Sequence, residues 1–523
     1  MQHFVNREEE LRFVEEKFNI LLEKNDLIRI PIIEFHGVGG IGKTTMLKKI
    51  EKRCHDMHLP SVWADASQGI LNFSRDIIQQ IQQYNVQFTP KSEDLPEQSV
   101  YAARALLSQG PMVFLVDSLD AANEEQLIWI ENMLRELIGD NKLLAILASK
   151  RFIPFENAMS IARRLAPSPL RPFDRDSCMS FINGLEQGIE PGIRNIVFEW
   201  THGYPLAVNA MVQAIRSNKL DPRKKQDQRQ LLAIMSEQVI NRGVFSSIVQ
   251  TQDDLKWYQT MLSLFSIPRR FNLSIMQKMI EKFAPQYKLG SSLAYITLPG
   301  RINQITDVLN WNPAKAGFSV EAPIRHMFLM KLKIEEPDTY VMIHSFLAMT
   351  SRRLADEVSG GDRVRYLQEY LYYSASCEEG TVLKQIAEKT VQRIIAEPLE
   401  YFSLFHEDYM SDVELQTTLG IHNNTVLSLT YRHMAMINKQ IASESTEIER
   451  IFYLQEFFCY ITLDPAITDL RLHLSDTIQQ VVKEHSAVIC AKLYAELLRD
   501  TRIKERCGED IAVLSSLLNP SSQ

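Results

Sequence analysis

Residues 28–54 read IRIPIIEFHGVGGIGKTTMLKKIEKRC, and this stretch gives the strongest structural signal in the sequence. Its first part, residues 28–35, is an apolar run rich in β-branched side chains, which is typical of a buried strand. A glycine cluster ends the run. Met46, Ile50 and Cys54 then recur at helical intervals. The stretch therefore predicts a strand, a glycine-rich loop and a helix in direct succession.

The loop in this stretch, residues 37–44, fits the phosphate-binding pattern GxxxxGK[ST] in full. Glycines let backbone N–H groups turn toward phosphate oxygens, and the N-terminus of the following helix adds a positive dipole end. Lys43 supplies a cation between the β- and γ-phosphates, and the Thr44 hydroxyl reaches Mg²⁺. A glycine-rich turn without a ligand is the alternative. The residues predicted to hold ATP or ADP here are Gly37, Gly39, Gly40, Ile41, Gly42, Lys43, Thr44 and Thr45.

Further short apolar runs lie at residues 61–64, 112–116 and 143–148, and helical patterns such as 124–137 separate them. Strands that alternate with helices indicate βαβ units and a buried parallel sheet. The strand signal stops after residue 151, and the proline-rich stretch 166–173 reads as a connector to the helices that follow, with Asp174 as a candidate helix cap.

An acid at the end of a buried strand next to the phosphate loop is needed to hold the magnesium shell, and Asp117 follows the apolar run 113–116. We expect Asp117 to bind Mg²⁺ through water, together with Thr44. Hydrolysis also requires a base that orients the attacking water, and the candidate is Asp120. Glu124 and Glu125 are assigned instead to the first turn of the next helix, where acids favour the helix dipole. These features predict a slow ATPase.

The third strand ends in Ser149-Lys150-Arg151, which places two cations at the carboxyl edge of the sheet, where ligands bind in open α/β folds. Arg151 is the candidate for reaching the γ-phosphate, and so for distinguishing ATP from ADP. A surface arginine with a structural role is the alternative.

The length, charge and hydrophobicity of the chain limit the classes of protein to which these motifs can belong. A chain of 523 residues exceeds one hydrophobic core and predicts three or four domains. The formal net charge of −8 and pI of about 5.9 give no overall attraction to phosphate backbones or anionic lipid. The N-terminus lacks the pattern of a leader peptide, and no apolar run is long enough to span a membrane, so we expect a cytoplasmic protein.

The predicted fold class is multidomain α/β plus α. A P-loop NTPase parallel sheet is followed by a helical domain, a winged-helix-like domain and a C-terminal all-helical region. The corresponding boundaries are 1–168, with a leading helix at 8–22, then 169–248, 249–358 and 359–523.

Several motifs in this order resemble those of the STAND class of P-loop ATPases, the signalling group that includes NB-ARC and NACHT proteins. FVNREEEL, residues 4–11, is similar to the segment that precedes the phosphate loop and borders the adenine, which implies roles for Val5 and Arg7. Asn6 stands where the family has glycine. DSLD at 117–120 resembles the NACHT form of the Walker B motif, and SKR at 149–151 resembles the NB-ARC sensor.

Two later motifs extend the resemblance to about residue 350. HGYPLAVNAM, residues 202–211, is similar to the GLPLA motif, which implies that Pro205 lies against the adenine. VMIHS, residues 341–345, resembles the MHD motif, whose histidine contacts the β-phosphate of ADP, which implies that role for His344. Ser345 replaces the aspartate of that motif.

The resemblance implies an ATP/ADP-dependent switch that self-associates on activation to signal, in settings that include antiviral and immune defence. A trigger ligand would bind the TPR-like C-terminal helices, and the effector could be a separate protein. The alternative is a DNA-associated AAA-type ATPase, such as an initiator or a transposition or transcription regulator. The acidic pI disfavours nucleic acid as a partner but leaves it open. A third reading is a scaffold that binds ATP without hydrolysing it.

Overall fold

The computed structural model describes residues 7–507 apart from 24–27, 90–91, 156, 158, 187, 246–250, 307 and 313–316. The chain divides into two compact units, Met1–Pro337 and Asp338–Gln523. None of the described helices combines the length and hydrophobicity that a bilayer-spanning helix requires.

A five-stranded, all-parallel sheet forms the centre of the first unit. Its strands are β1 (Ile32–His36), β2 (Ser61–Asp65), β3 (Met112–Asp117), β4 (Leu143–Ser149) and β5 (Leu165–Pro169). They lie in the order β2-β3-β4-β1-β5, so β4 separates the strand before the phosphate loop from the strand that ends in Asp117. The three central strands β3, β4 and β1 are buried almost throughout, as the continuous apolar runs predicted.

Six helices accompany the sheet: α1 (Glu8–Leu22), α2 (Lys43–Asp56), α3 (Gly69–Gln82), α4 (Leu95–Gln109), α5 (Glu124–Leu137) and α6 (Met159–Ala162). Side chains from the sheet and from α3, α4 and α5 form one buried core. Phe73 packs edge-on against Phe114 and Trp129 in that core, with ring centroids 6.2 and 5.7 Å away. Glu124 and Glu125 lie in the first turn of α5, as predicted, and Asn123 caps that helix.

Strand β5 shows that one prediction was wrong. The proline-rich stretch 166–173 was predicted to be a connector, but its residues 166–169 belong to an edge strand. Its pairing with β1 uses alternate residues: Arg164 O accepts from Ile32 N, and Leu170 N donates to His36 O. Pro167 and Pro169 occupy the intervening positions, whose backbone groups face away from β1. Proline is tolerated there because an edge strand needs donors on one side only.

Helices α7 (Arg175–Leu185), α8 (Pro191–Thr201), α9 (Pro205–Asn218) and α10 (Lys225–Met235) follow the sheet. Asp174 caps α7 by accepting from Ser177 N at 2.8 Å, as proposed from the sequence. A winged-helix arrangement comes next, with α11 (Gln252–Phe265), α12 (Leu273–Phe283), α13 (Ser292–Thr306), the hairpin β6 (Leu309–Asn312) and β7 (Gly317–Val320), and α14 (Ala322–Glu335). Phe271 bridges to Phe318 and so adds a third chain segment to the wing.

The second unit is helical throughout its described residues and contains α15 (Pro337–Glu357), α16 (Gly360–Ala375), α17 (Gly380–Ile395), α18 (Leu399–Ser411), α19 (Val413–Leu419), α20 (Asn423–Glu444), α21 (Glu447–Leu463), α22 (Leu470–Glu484), α23 (Ala487–Leu497) and α24 (Thr501–Cys507). A core of leucine, isoleucine and aromatic side chains joins α20 to α24. The sheet, the helical segment, the winged helix and the helical C-terminal region confirm the predicted fold class. The four residue boundaries stay predictions.

Candidate nucleotide-binding site

The phosphate loop runs from the end of β1 to the start of α2. Gly37, Gly40 and Gly42 have backbone φ angles of +150°, +78° and +109°, which residues other than glycine rarely adopt. Lys43 is the first residue of α2, and its Nζ donates to Gly37 O at 2.6 Å and Val38 O at 3.1 Å. The loop therefore has the turn and the cation that a bound phosphate requires.

Asp117, the last residue of β3, lies beside the first turn of α2. The residue is 7 % exposed, and its carboxylate accepts hydrogen bonds from the Thr44 hydroxyl and, at 2.9 Å, from Ser118 N. Burial raises the pKa of Asp117, and the hydrogen bond from Thr44 opposes that shift. The structure thus brings together the two oxygen donors that the sequence proposed for magnesium. Such a pair fits Mg²⁺, which keeps several waters and takes few protein ligands.

Asp120 lies in a short helical turn after β3, and its Oδ1 accepts from the backbone N–H of Lys150 at 2.7 Å. This bond fixes the chain that follows β4 against the chain that follows β3. Asp120 therefore has a positioning contact in this structure, and its role as hydrolytic base stays a prediction.

The two cations after β4 differ in their surroundings. Lys150 lines a cavity of about 10 Å³ together with Val38, Gly39 and Tyr204, so it lies next to the phosphate loop. Arg151 is exposed. The structure places Lys150 at the cavity beside the loop. The role of Arg151 as the reader of the γ-phosphate stays a prediction.

The GYPLA motif packs directly on the phosphate loop. The Tyr204 hydroxyl donates to Gly39 O, and a Cβ placed on Gly40 would come within 2.7 Å of the Leu206 side chain. Pro205 is buried as the first residue of α9. The sequence did not predict the contact of Tyr204 with the phosphate loop, although Tyr204 lies inside the HGYPLA motif.

Arg7 connects the start of α1 to the same loop. Its guanidinium is 6 % exposed and donates to Ile41 O at 3.3 Å and to Arg171 O at 2.7 Å, and it lies 5.6 Å from the centre of the Phe173 ring. Burial lowers the pKa of Arg7. Val5, the other residue proposed for this border, lies outside the described residues, and Thr45 is exposed in the first turn of α2.

An open cleft of about 620 Å³ lies beside Arg7 and is lined also by Phe13, Pro169, Arg171 and Asp174. Its volume is within the range of small-molecule sites. Arg7 thus contacts both the phosphate loop and a cleft large enough for the nucleoside part of a nucleotide.

Residues 11–147, from α1 to β4, match the family model of the NB-ARC domain. This part of the chain is therefore similar to an NB-ARC domain, which has a P-loop NTPase fold. The match implies binding of ATP or ADP at the phosphate loop. Comparison with curated proteins gave no match.

Three solved structures show a distant similarity to this chain. The Aeropyrum pernix ORC1 protein, solved in complex with DNA, is 13 % identical with a TM-score of 0.35, covering 64 % of this chain and 94 % of its own. A STAND protein of Pyrococcus horikoshii with a tetratricopeptide repeat sensor is 12 % identical with a TM-score of 0.29, covering 100 % and 79 %. Domain III of Thermotoga maritima DnaA is 15 % identical with a TM-score of 0.32, covering 45 % and 95 %. These values are too low to support a functional conclusion.

The winged helix supplies neighbours of the phosphate loop that the sequence did not indicate. Thr306, Val308 and Ile324 line the cavity that Lys150 and the loop share. Nearby in sequence, His326 of α14 stacks on His202 of the HGYPLA motif, with ring centroids 3.5 Å apart. Both contacts lie within the first unit.

His344, proposed for the ADP β-phosphate, lies in α15 of the second unit and is fully buried. Its Nδ1 is 2.8 Å from Tyr340 O, and its ring packs near Tyr340, Tyr372 and Tyr373. These contacts belong to the core of the second unit. The proposed role in nucleotide binding stays a prediction.

Glu34, in the middle of β1, is a second residue that the sequence analysis missed. It is fully buried, and its Oε1 accepts from Ser149 Oγ at 2.6 Å and from Ile153 N at 2.9 Å. Burial raises its pKa to about 7, against the opposing effect of these two hydrogen bonds. A carboxyl inside an apolar strand was the available signal in the sequence.

Proposed function

We propose that this chain is an ATP/ADP-dependent switch that changes conformation and self-associates when ATP replaces ADP. The contact of Tyr204 and Leu206 with the phosphate loop carries the proposal. A movement of the loop on nucleotide exchange acts directly on α9, because Tyr204 precedes that helix and Leu206 lies in its first turn. A ligand shifts such an equilibrium by its differential affinity for the two states.

The chemistry of the site follows from its own residues. Backbone N–H groups of the loop and the Lys43 ammonium bind the phosphates, and Thr44 with Asp117 would hold Mg²⁺, which offsets phosphate charge. Lys150, next to Gly39, and Arg151 are the cations that would respond to the γ-phosphate. Because Asp120 already holds Lys150 N, we expect slow hydrolysis.

The partners in this proposal are a second copy of the chain, a trigger ligand on the helices of the second unit, which we propose to be TPR-like, and a separate effector protein. Signalling in defence is the setting that the STAND class suggests. These assignments rest on the class of the domain and are part of the proposal.

The winged helix offers little support for the alternative of a DNA-associated ATPase. Helix α13, in the position of the third helix, carries a single charged residue, Arg301, whose guanidinium lies 4.4 Å from the Trp257 ring. Leu293 and Ile296 on the same helix are 69 % and 59 % exposed. DNA-binding surfaces are rich in cations that contact phosphates, whereas exposed apolar side chains suit contact with protein.

The test is the mass of the purified chain in solution with ADP and then with ATP and Mg²⁺, for wild type and for Lys43→Ala. We expect a monomer with ADP, a larger assembly of wild type with ATP, and no assembly of the variant. Lys48→Ala, five residues further along α2 and exposed, is the matched control and should behave as wild type. An unchanged mass under both conditions would sink the proposal, and salt-dependent DNA binding would then favour the alternative.

A further inference from the structure

Glu34 is an unusual residue for a central strand of a parallel sheet, where side chains are normally apolar. β1 lies between β4 and β5, and Ile32, Ile33 and Phe35 of the same strand are fully buried. Burial of a carboxyl group is unfavourable unless hydrogen bonds compensate for lost hydration. A β-branched apolar residue would suit this position without that penalty, so the hydrogen bonds of Glu34 point to a role beyond packing.

Those hydrogen bonds reach one short segment. Oε1 of Glu34 accepts from Ser149 Oγ and from Ile153 N, at 2.6 and 2.9 Å, and the two donors bracket residues 150–152. We call residues 149–153 the sensor segment. The Glu34 side chain therefore holds both ends of the stretch that contains Lys150 and Arg151.

A second carboxyl group holds the middle of the sensor segment, because Asp120 Oδ1 accepts from Lys150 N at 2.7 Å. The two acids come from different parts of the sheet. Glu34 lies on the strand that leads into the phosphate loop, and Asp120 follows the strand that ends in Asp117. The segment is thus fixed to both parts of the nucleotide site.

We propose that Glu34 is a positioning residue that fixes the sensor segment, so that Lys150 and Arg151 are held where they can distinguish ATP from ADP. This inference rests on the proposed function. The contact is built into the fold through one oxygen, Oε1, while the other carboxyl oxygen, Oε2, is buried and has no hydrogen-bond partner among the described residues. The raised pKa of Glu34, about 7, is consistent with a carboxyl that can keep Oε1 as an acceptor in its protonated form.

The amide of glutamine offers the same acceptor, so two replacements separate positioning from packing. Glu34→Gln keeps an oxygen that Ser149 and Ile153 can bond, whereas Glu34→Leu removes it and keeps the volume. Ser149→Ala removes one of the two bonds and leaves the strand unchanged. Gln126→Leu is the matched control, since it removes a buried side chain of the same domain that donates to Ala66 O instead.

The measurement is the ratio of dissociation constants of the full-length chain for fluorescent ADP and fluorescent ATP with Mg²⁺, alongside thermal unfolding. We expect Glu34→Leu to change the ratio by about fivefold or more, the lower end of ordinary coupling between sites. Ser149→Ala should change it in the same direction by less, and Glu34→Gln and Gln126→Leu should leave it as in wild type.

The inference is overturned if Glu34→Leu lowers the unfolding temperature but leaves the ratio as in Gln126→Leu, because Glu34 then serves stability alone. It is also overturned if Glu34→Gln changes the ratio as much as Glu34→Leu. Should Glu34→Leu fail to fold, an unchanged ratio in Ser149→Ala decides against it. A wild-type chain that binds neither nucleotide would instead refute the proposed function, and this inference with it.

Discussion

Gly203 lies where a side chain has no room. Its φ is +71°, and a Cβ would come within 2.0 Å of the backbone oxygen of Phe173. We expect Gly203→Ala to lower the free energy of unfolding by at least about 2 kcal/mol, because left-handed strain adds to the displacement of a backbone segment. Gly139, whose Cβ would meet nothing within 4 Å, is the control. Chemical denaturation of both variants checks this, and equal stability would contradict it.

The protonation of Glu34 predicts how stability depends on pH. Its pKa is about 7 in the folded chain against an ordinary value of 4.5, so the folded state binds the extra proton. The resulting stabilisation is complete below pH 4.5 and is lost as the pH rises to about 7, by on the order of 3 kcal/mol at one pKa unit per 1.36 kcal/mol. Glu34→Gln cannot titrate. We expect its stability relative to wild type to rise across that window, measured by denaturation at pH 5 and pH 8, and a constant difference would contradict the assignment.

At the scale of single residues, the sequence allowed the prediction of those site residues that belong to a local motif. Lys43, Thr44 and Asp117 come together as their motifs required, since strand order brings those two loops to one edge of the sheet. Tyr204 and Glu34 could not be placed in the same way. Their partners, Gly39 and Ser149, are 165 and 115 residues away in the chain, and no local periodicity specifies such a pairing.

Among the elements, the strands with continuous apolar runs were predictable and the edge strand β5 was not. Burial on both faces gives β1, β3 and β4 a strong hydrophobic signal. Strand β5 has two prolines and no fully buried residue, so its composition resembles a turn. Its pairing with β1 depends on the alternation of bonded positions, which becomes visible only when the neighbouring strand is known.

The link between α9 and the phosphate loop yields a prediction for nucleotide release. Tyr204→Phe keeps the ring and removes the hydrogen bond to Gly39 O. Loss of such a bond is worth about 1 kcal/mol, so we expect fluorescent ADP to leave about fivefold faster. Tyr84→Phe, which removes a hydroxyl that bonds Ser61 in β2, serves as the control. Release at the wild-type rate from Tyr204→Phe would show that this contact does not restrain the loop.

For the whole molecule, the phosphate loop and its contacts with Arg7 and Tyr204 lie within the first unit, Met1–Pro337. We therefore expect a chain that ends before Pro337, where α15 begins, to bind ADP with a dissociation constant within about tenfold of that of the full chain. A tenfold change corresponds to about 1.4 kcal/mol, which is close to the contribution of one hydrogen bond to a charged group. Titration of the fragment and of full-length His344→Ala checks this. A larger loss that is specific for ADP and common to both would assign His344 to the ADP phosphate.

The most direct test of the account is titration of the purified full-length chain with ADP and with ATP, each with and without Mg²⁺, for wild type and Lys43→Ala. We predict that wild type binds both nucleotides, that Mg²⁺ tightens ATP, and that Lys43→Ala loses at least about tenfold in affinity, as expected for removal of a charged phosphate contact. If wild type binds neither nucleotide, or if Lys43→Ala binds both as tightly as wild type, the phosphate loop is not the nucleotide site and the account is wrong.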